Sequence, residues 1–292
     1  MPSLAKILLP VDFSDRCNGA ARYAAQLAGH FDSEITMLHT LVPFGPPAHE
    51  DPEPSVGIMP GDILAARHAQ IQRRLDGCLD AELGRLRVTR VLDEGDPASR
   101  IVERAHSGGF GLIMMPTHGY GPFRRLLLGS VTAKVLHGAD CPVWTSVHVE
   151  TSPPAEAASL KHIVCAVDLG PQSAAVLGWA SWMAAEFKTR LSLVNVVPLD
   201  PRTESYYFSP EWRGHLINAA KADVEKLQAS VGSHAEVHLE VGDIHQAVRS
   251  AAESLQADLL VIGRSAVSGI TGRLPTRAYA IIRDSPCPVV SV

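Results

Sequence analysis

The chain has 292 residues, 46% of them hydrophobic and 20% charged, and a net charge of −5. That length suits two domains of about 145 residues, the apolar fraction is enough for ordinary packed cores, and the charged fraction argues against intrinsic disorder. The acidic balance argues against a dedicated nucleic-acid binder, and no apolar run reaches membrane-spanning length.

Residues 5–11 (AKILLPV) have the pattern of a buried strand. Asp12-Phe13-Ser14-Asp15 ends it and can cap a helix over 16–31. Residues 35–42 (ITMLHTLV) form a second strand. Residues 43–61 hold six prolines and three glycines, so an irregular loop is expected there, beside the first strand ends, as either a lid over the site or a passive surface loop. One helix is expected over 62–85 and a strand over 86–92. Glu94-Gly95-Asp96-Pro97 then leads into a helix over 98–106. Leu112-Ile113-Met114-Met115 reads as a fourth buried strand. Turn chemistry follows from Pro116 to Gly121. Ser130 is an N-cap candidate for a helix over 131–137. A last strand covers 142–149. Residues 150–159 (ETSPPAEAAS) read as a linker, which divides the chain into domains of 1–149 and 160–292.

The second domain repeats the first. Lys6 to Asp12 matches His162 to Asp168 at an offset of 156, Gly95-Asp96 matches Gly242-Asp243 at 147, and Cys141-Pro142-Val143 matches Cys287-Pro288-Val289 at 146. Ordered matches of this kind indicate a duplication. Each copy alternates strands with helices, which implies a parallel sheet covered on both faces. The predicted fold is therefore α/β: two tandem doubly wound domains, each with five parallel strands in the order 3-2-1-4-5. Ligands of such folds sit at the carboxyl ends of strands where the strand order switches. Those ends carry Asp12 and the Gly119 loop in copy one, and Asp168 and the Gly263 loop in copy two. A strand, a glycine-bearing loop and a helix N-terminus make a natural phosphate seat. Taken alone, the same stretch is more often a plain turn and helix start.

The motifs VDFS at 11–14, GD at 95–96, THG with GSV at 117–119 and 129–131, and CPV at 141–143 resemble the universal stress protein family. The resemblance spans nearly the whole chain. ATP-binding members of that family carry G-x2-G-x9-G-[S/T] after the fourth strand. Copy one has Pro116-x2-Gly119-x9-Gly129-Ser130, so only the first glycine is missing. The resemblance implies ATP, with Mg2+ as its companion ion, bound through Asp12, Thr40, Thr117, His118, Gly119, Gly129, Ser130 and Val131. Copy two keeps Asp168, Gly263 and Thr276, but Ala266 and Pro275 replace two glycines. Copy two is therefore expected to bind more weakly or not at all. Family members commonly dimerise through the last strand. The two closing strands are thus expected to pair within this chain as a pseudo-dimer, with association of two chains left open.

The five cysteines are scattered without a CxxC pair, as suits reduced thiols in a cytoplasm. MPSLAKILLPVDFS lacks a cleavage pattern, so no signal peptide is read. His234 and His238, on a predicted strand, are about 13 Å apart, too far to share a zinc ion. No Ser-His-Asp order and no GxxxxGK[ST] loop is present. The leading expectation is a cytoplasmic regulatory protein that binds an adenine nucleotide, acts on an unidentified protein partner, and touches neither nucleic acid nor membrane. The alternatives are a structural or interaction module with two dead sites, and a slow metal-dependent ATPase.

Overall fold

The structure is a computed structural model that describes residues 2–42, 61–117, 128–146, 160–198, 210–264 and 276–292. The proline-rich stretch and the linker lie outside these residues. The first copy runs β1 (Lys6–Pro10), α1 (Arg16–Phe31), β2 (Glu34–Leu41), α2 (Gly61–Asp76), α3 (Asp80–Leu83), β3 (Val88–Glu94), α4 (Pro97–Gly108), β4 (Leu112–Pro116), α5 (Ser130–Gly138) and β5 (Val143–Ser146). The second runs β6 (His162–Val167), α6 (Ser173–Phe187), β7 (Arg190–Pro198), α7 (Pro210–Val231), β8 (Glu236–Gly242), α8 (Ile244–Ser254), β9 (Leu259–Ile262), α9 (Thr276–Asp284) and β10 (Val289–Ser291).

The strands form one ten-stranded sheet, β3-β2-β1-β4-β5-β10-β9-β6-β7-β8. Each half has the predicted order and is parallel throughout. The halves join where β10 runs antiparallel to β5, with Val290 opposite Trp144. The expected pairing of the closing strands is therefore present within one chain. Alternate strand residues serve opposite faces. Ile7 and Leu9 enter the core beneath α1 and α6, whereas Leu8 enters the core beneath α4, α5, α8 and α9. Both faces are covered, which is why β1 is almost uniformly apolar.

Two local readings are corrected. The helix expected over 62–85 is broken. Leu79 takes a left-handed φ of 59° between α2 and α3, so the chain cannot continue as one helix there. Ser130 is not an N-cap. Gly129 holds that position with extended backbone, and Ser130 is the first helical residue. His234 also lies before β8 rather than on it.

The repeated Gly-Asp pair has a structural explanation. Gly95 and Gly242 have φ of 136° and 145°, which side chains strongly disfavour. Each is followed by an aspartate N-cap: Asp96 accepts from the Ser99 N–H and Asp243 from the Gln246 N–H. The motif turns a strand into a helix and needs no ligand to explain it.

The central junction is held by side chains as well as by the ladder. Thr145 is fully buried and its hydroxyl donates to the Val289 carbonyl. Trp144 packs against Tyr23 with ring centroids 5.5 Å apart. At the outer ends of α1 and α6, His30 stacks on Phe187 and Phe31 on Trp182, at 4.2 and 5.3 Å. We predict that Trp144→Ala destabilises the chain by about 3–5 kcal/mol, measured by urea unfolding. A loss under about 1 kcal/mol would show that the junction packs more loosely than this.

Candidate functional site

Copy one brings Asp12, Thr40, Thr117, Gly129, Ser130 and Val131 to the carboxyl end of the sheet, around the β1/β4 switch point. Asp12 follows β1 in a tight turn. Its Oδ1 accepts from the Ser14 N–H and hydroxyl, at 3.0 and 2.6 Å, and from the Cys17 thiol at 3.1 Å. That turn forces Phe13 to a φ of 61°, a strained state for a bulky side chain. Phe13 thereby meets His39 with ring centroids 4.3 Å apart and planes tilted by 36°, and Arg74 Cζ lies 4.5 Å from the Phe13 ring centroid.

His39 is a polar residue inside an apolar strand. Its Nδ1 lies 2.8 Å from the Val11 carbonyl. A carbonyl only accepts, so Nδ1 carries the proton and donates. Burial pushes the His39 pKa down, outweighing the Val11 bond and the nearby Asp12 charge, both of which raise it. The ring is therefore held neutral.

The opposite wall is the start of α5. The Gly129 N–H donates to the Thr117 carbonyl at 2.8 Å, and the Thr132 hydroxyl to the Pro116 carbonyl at 3.1 Å. These bonds fix the helix N-terminus against the end of β4. The Gly129 amide is consequently spent inside the fold. The first-turn amides of Ser130 and Val131 have no intrahelical acceptor, and the helix dipole is positive there. Val131 itself packs partly against the core. Thr117 is buried, its hydroxyl donating to the Ser146 carbonyl at 3.3 Å. Thr40 sits near the end of β2, opposite Asp93 of β3. His118 and Gly119 lie outside the described residues.

Copy two repeats the scaffold with different surfaces. Asp168 Oδ1 accepts from the Gly170 N–H at 2.9 Å and the Ser173 hydroxyl at 3.1 Å, and Leu169 has a φ of 59°. Asn195 replaces His39 and donates to the Val167 carbonyl at 2.9 Å. Gly263 follows β9, but the adjacent Arg264 is directed across the junction. Its guanidinium donates to the carbonyls of Cys141 and Leu136, at 2.8 and 3.4 Å, at the end of α5. Thr276 begins α9. Between the strand ends and α8 and α9 lies a cavity of about 330 Å3.

The thiols are not poised for catalysis. Burial pushes Cys17 and Cys287 up to about 12 and raises Cys165 still further, so they are protonated and unreactive near neutrality. Among the described residues, no group of three His, Cys, Asp or Glu could hold a metal ion.

Sequence reasoning found Asp12, Thr40, Thr117, Gly129, Ser130 and Val131 at this end of the sheet. It missed the Arg74–Phe13–His39 stack. The signal was present in Phe13 of VDFS and in the one histidine interrupting ITMLHTL.

Because the folded-state pKa of His39 lies below the unfolded value of about 6.5, its neutral form favours the fold above that pH. This stability falls as pH drops through the interval toward the folded pKa. We predict that His39→Asn, the residue copy two uses, preserves the bond to Val11 but flattens this part of the stability–pH curve. Urea unfolding at pH 5 to 8 checks it. An unchanged curve would assign the dependence to another group.

Both halves match the universal stress protein family, over residues 4–146 and 159–292. A universal stress protein of Mycolicibacterium smegmatis is 27% identical over 278 residues, covering 92% of this chain and 90% of the relative. One from Methanocaldococcus jannaschii is 33% identical over 145 residues, covering 47% of this chain and 79% of its own length. The crystal structure of a universal stress protein from Archaeoglobus fulgidus superposes with a TM-score of 0.69 at 20% identity, covering 99% of this chain and 96% of that one. The chain thus belongs to the universal stress protein family, as a tandem member in which one sheet carries both copies.

Proposed function

We propose that the protein is a cytoplasmic regulatory module that binds an adenine nucleotide, ATP, mainly through its first domain, 1–149. The linker 150–159 joins this unit to a second, 160–292, with a degenerate site. The observation that carries the reading is the fixed N-terminus of α5 beside the ends of β1 and β2. Gly129 and Thr132 pin it to β4, so its dipole and first-turn amides are oriented before any anion arrives. The family pattern at Gly119, Gly129 and Ser130 supplies the nucleotide class. Asp12, Thr40 and the Phe13 stack then define the adenosine side, and Thr117, His118 and Val131 border the phosphates. Mg2+ would arrive with the phosphates rather than in a resident protein site.

Binding rather than turnover fits the arrangement. Asp12 Oδ1 is engaged by three local donors, so it orders the turn rather than activating water. Copy two is less suited to an anion because Ala266 and Pro275 replace two glycines of the family pattern, and the nearby guanidinium of Arg264 is engaged with Leu136 and Cys141. An unidentified protein partner would read the nucleotide state.

Ser130→Asp should reduce ATP affinity about tenfold or more. A carboxylate at the first helical turn suits the dipole and leaves the fold intact, but repels phosphate. Thr276→Asp should change it less than about twofold. Calorimetric titration of ATP into both variants decides the matter. Equal losses, or full binding by Ser130→Asp, would overturn the assignment to copy one.

A further inference from the structure

We propose that the cavity of copy two is a binding site for a small, neutral, apolar molecule, of the size of a two-ring aromatic. The inference does not depend on nucleotide binding by copy one. The floor and walls are Val194, Val196, Val248, Ile262, Ala278 and Ile281, all buried. The polar lining is Asp168, Gln172 and Ser173, on the turn after β6 and the start of α6; Asp168 and Gln172 are exposed and Ser173 is buried.

Comparison with copy one shows what changed. The offsets of 156, 147 and 146 relate Val196 to Thr40, Val248 to Ile101, and Ala278 to Thr132. Two hydroxyl-bearing positions have become Val and Ala. Thr132 spends its hydroxyl on the Pro116 carbonyl in copy one; Ala278 leaves the corresponding volume without a polar atom. Val248 is one carbon smaller than Ile101. At these three positions copy two has lost two hydroxyls and one carbon, although Val176 and Ile281 are larger than their counterparts Ala20 and Val135.

The volume sets the class of occupant. Close-packed interiors hold few voids larger than a water molecule. An apolar cavity of about 150 Å3 accepts one benzene. The cavity here, at about 330 Å3, is about twice that size. Water gains few hydrogen bonds from such walls, so an apolar guest displaces it favourably.

Among the described lining residues the charged group is the Asp168 carboxylate and none is cationic, which favours a neutral guest over a phosphorylated one. The rim carries the Asp168 carboxylate, and its neighbour Ser173 donates to that carboxylate. Arg264, next to the cavity residue Gly263, points its guanidinium to α5 instead. A neutral guest avoids repulsion at the rim and fills the apolar interior.

N-phenyl-1-naphthylamine, a neutral fluorophore, is titrated into the full chain. Saturable enhancement with one probe per chain is expected. Ala278→Phe, which fills the cavity, should weaken the probe about tenfold or more. Val196→Thr, nearly isosteric and restoring the hydroxyl of Thr40, should weaken it about fivefold and serves if the larger change disturbs folding, as checked by melting. Ser130→Asp should leave probe binding unchanged, which separates this site from the nucleotide site. Excess ATP should not displace the probe. Absence of saturable binding, unchanged affinity in folded variants of both kinds, or displacement by ATP in the Ser130→Asp background would each overturn the proposal.

Discussion

The antiparallel contact between Val143–Ser146 and Val289–Ser291 is the constraint on which the rest depends. Each half alone would end in a short strand with unpaired amides and carbonyls, and such edges seek a partner. Pairing them satisfies both and merges two five-stranded sheets into one. The merger also creates the surface that α1 and α6 share, with its stacked aromatic pairs. Because these strands are only four and three residues long, side-chain burial around Trp144 must supply much of the holding energy.

This join places the two carboxyl-end crevices on a common frame, and Arg264 spans it. Burial lowers the pKa of its guanidinium, yet an arginine remains charged. Its cation meets carbonyls at the C-terminal end of α5, where the helix dipole favours positive charge. The other end of α5 is the anion-favouring terminus in copy one. One residue of copy two therefore supports the helix on which the site of copy one is built. The corresponding residue of copy one, Thr117, instead bonds within its own half.

Duplication freed the halves to diverge while the backbone stayed the same. The strand-end turn keeps its aspartate and its left-handed next residue in both copies. The donor to that aspartate is a thiol at Cys17 and a hydroxyl at Ser173. The bridge from the second strand to the first is an imidazole at His39 and an amide at Asn195. These exchanges preserve hydrogen-bond geometry, and so the scaffold, while changing what the crevice presents.

The sequence by itself determined the alternation of strands with helices, the duplication and the strand ends that carry Asp12 and Asp168. Those follow from local periodicity and from glycine and cap chemistry. It also located the closing strands, because apolar edges must pair. Only the tertiary structure decided which groups at those ends face a crevice. Gly129 reads as an open amide in the sequence, yet its N–H is closed onto Thr117 once β4 and α5 meet. The Arg74–Phe13–His39 stack joins residues of three elements, so no spacing rule could announce it. Arg264 reads as part of a loop until the antiparallel join brings α5 within its reach. The copy-two cavity depends on volumes contributed by β7, α8, β9 and α9 together, and volume is a property of packed neighbours rather than of any one stretch of chain.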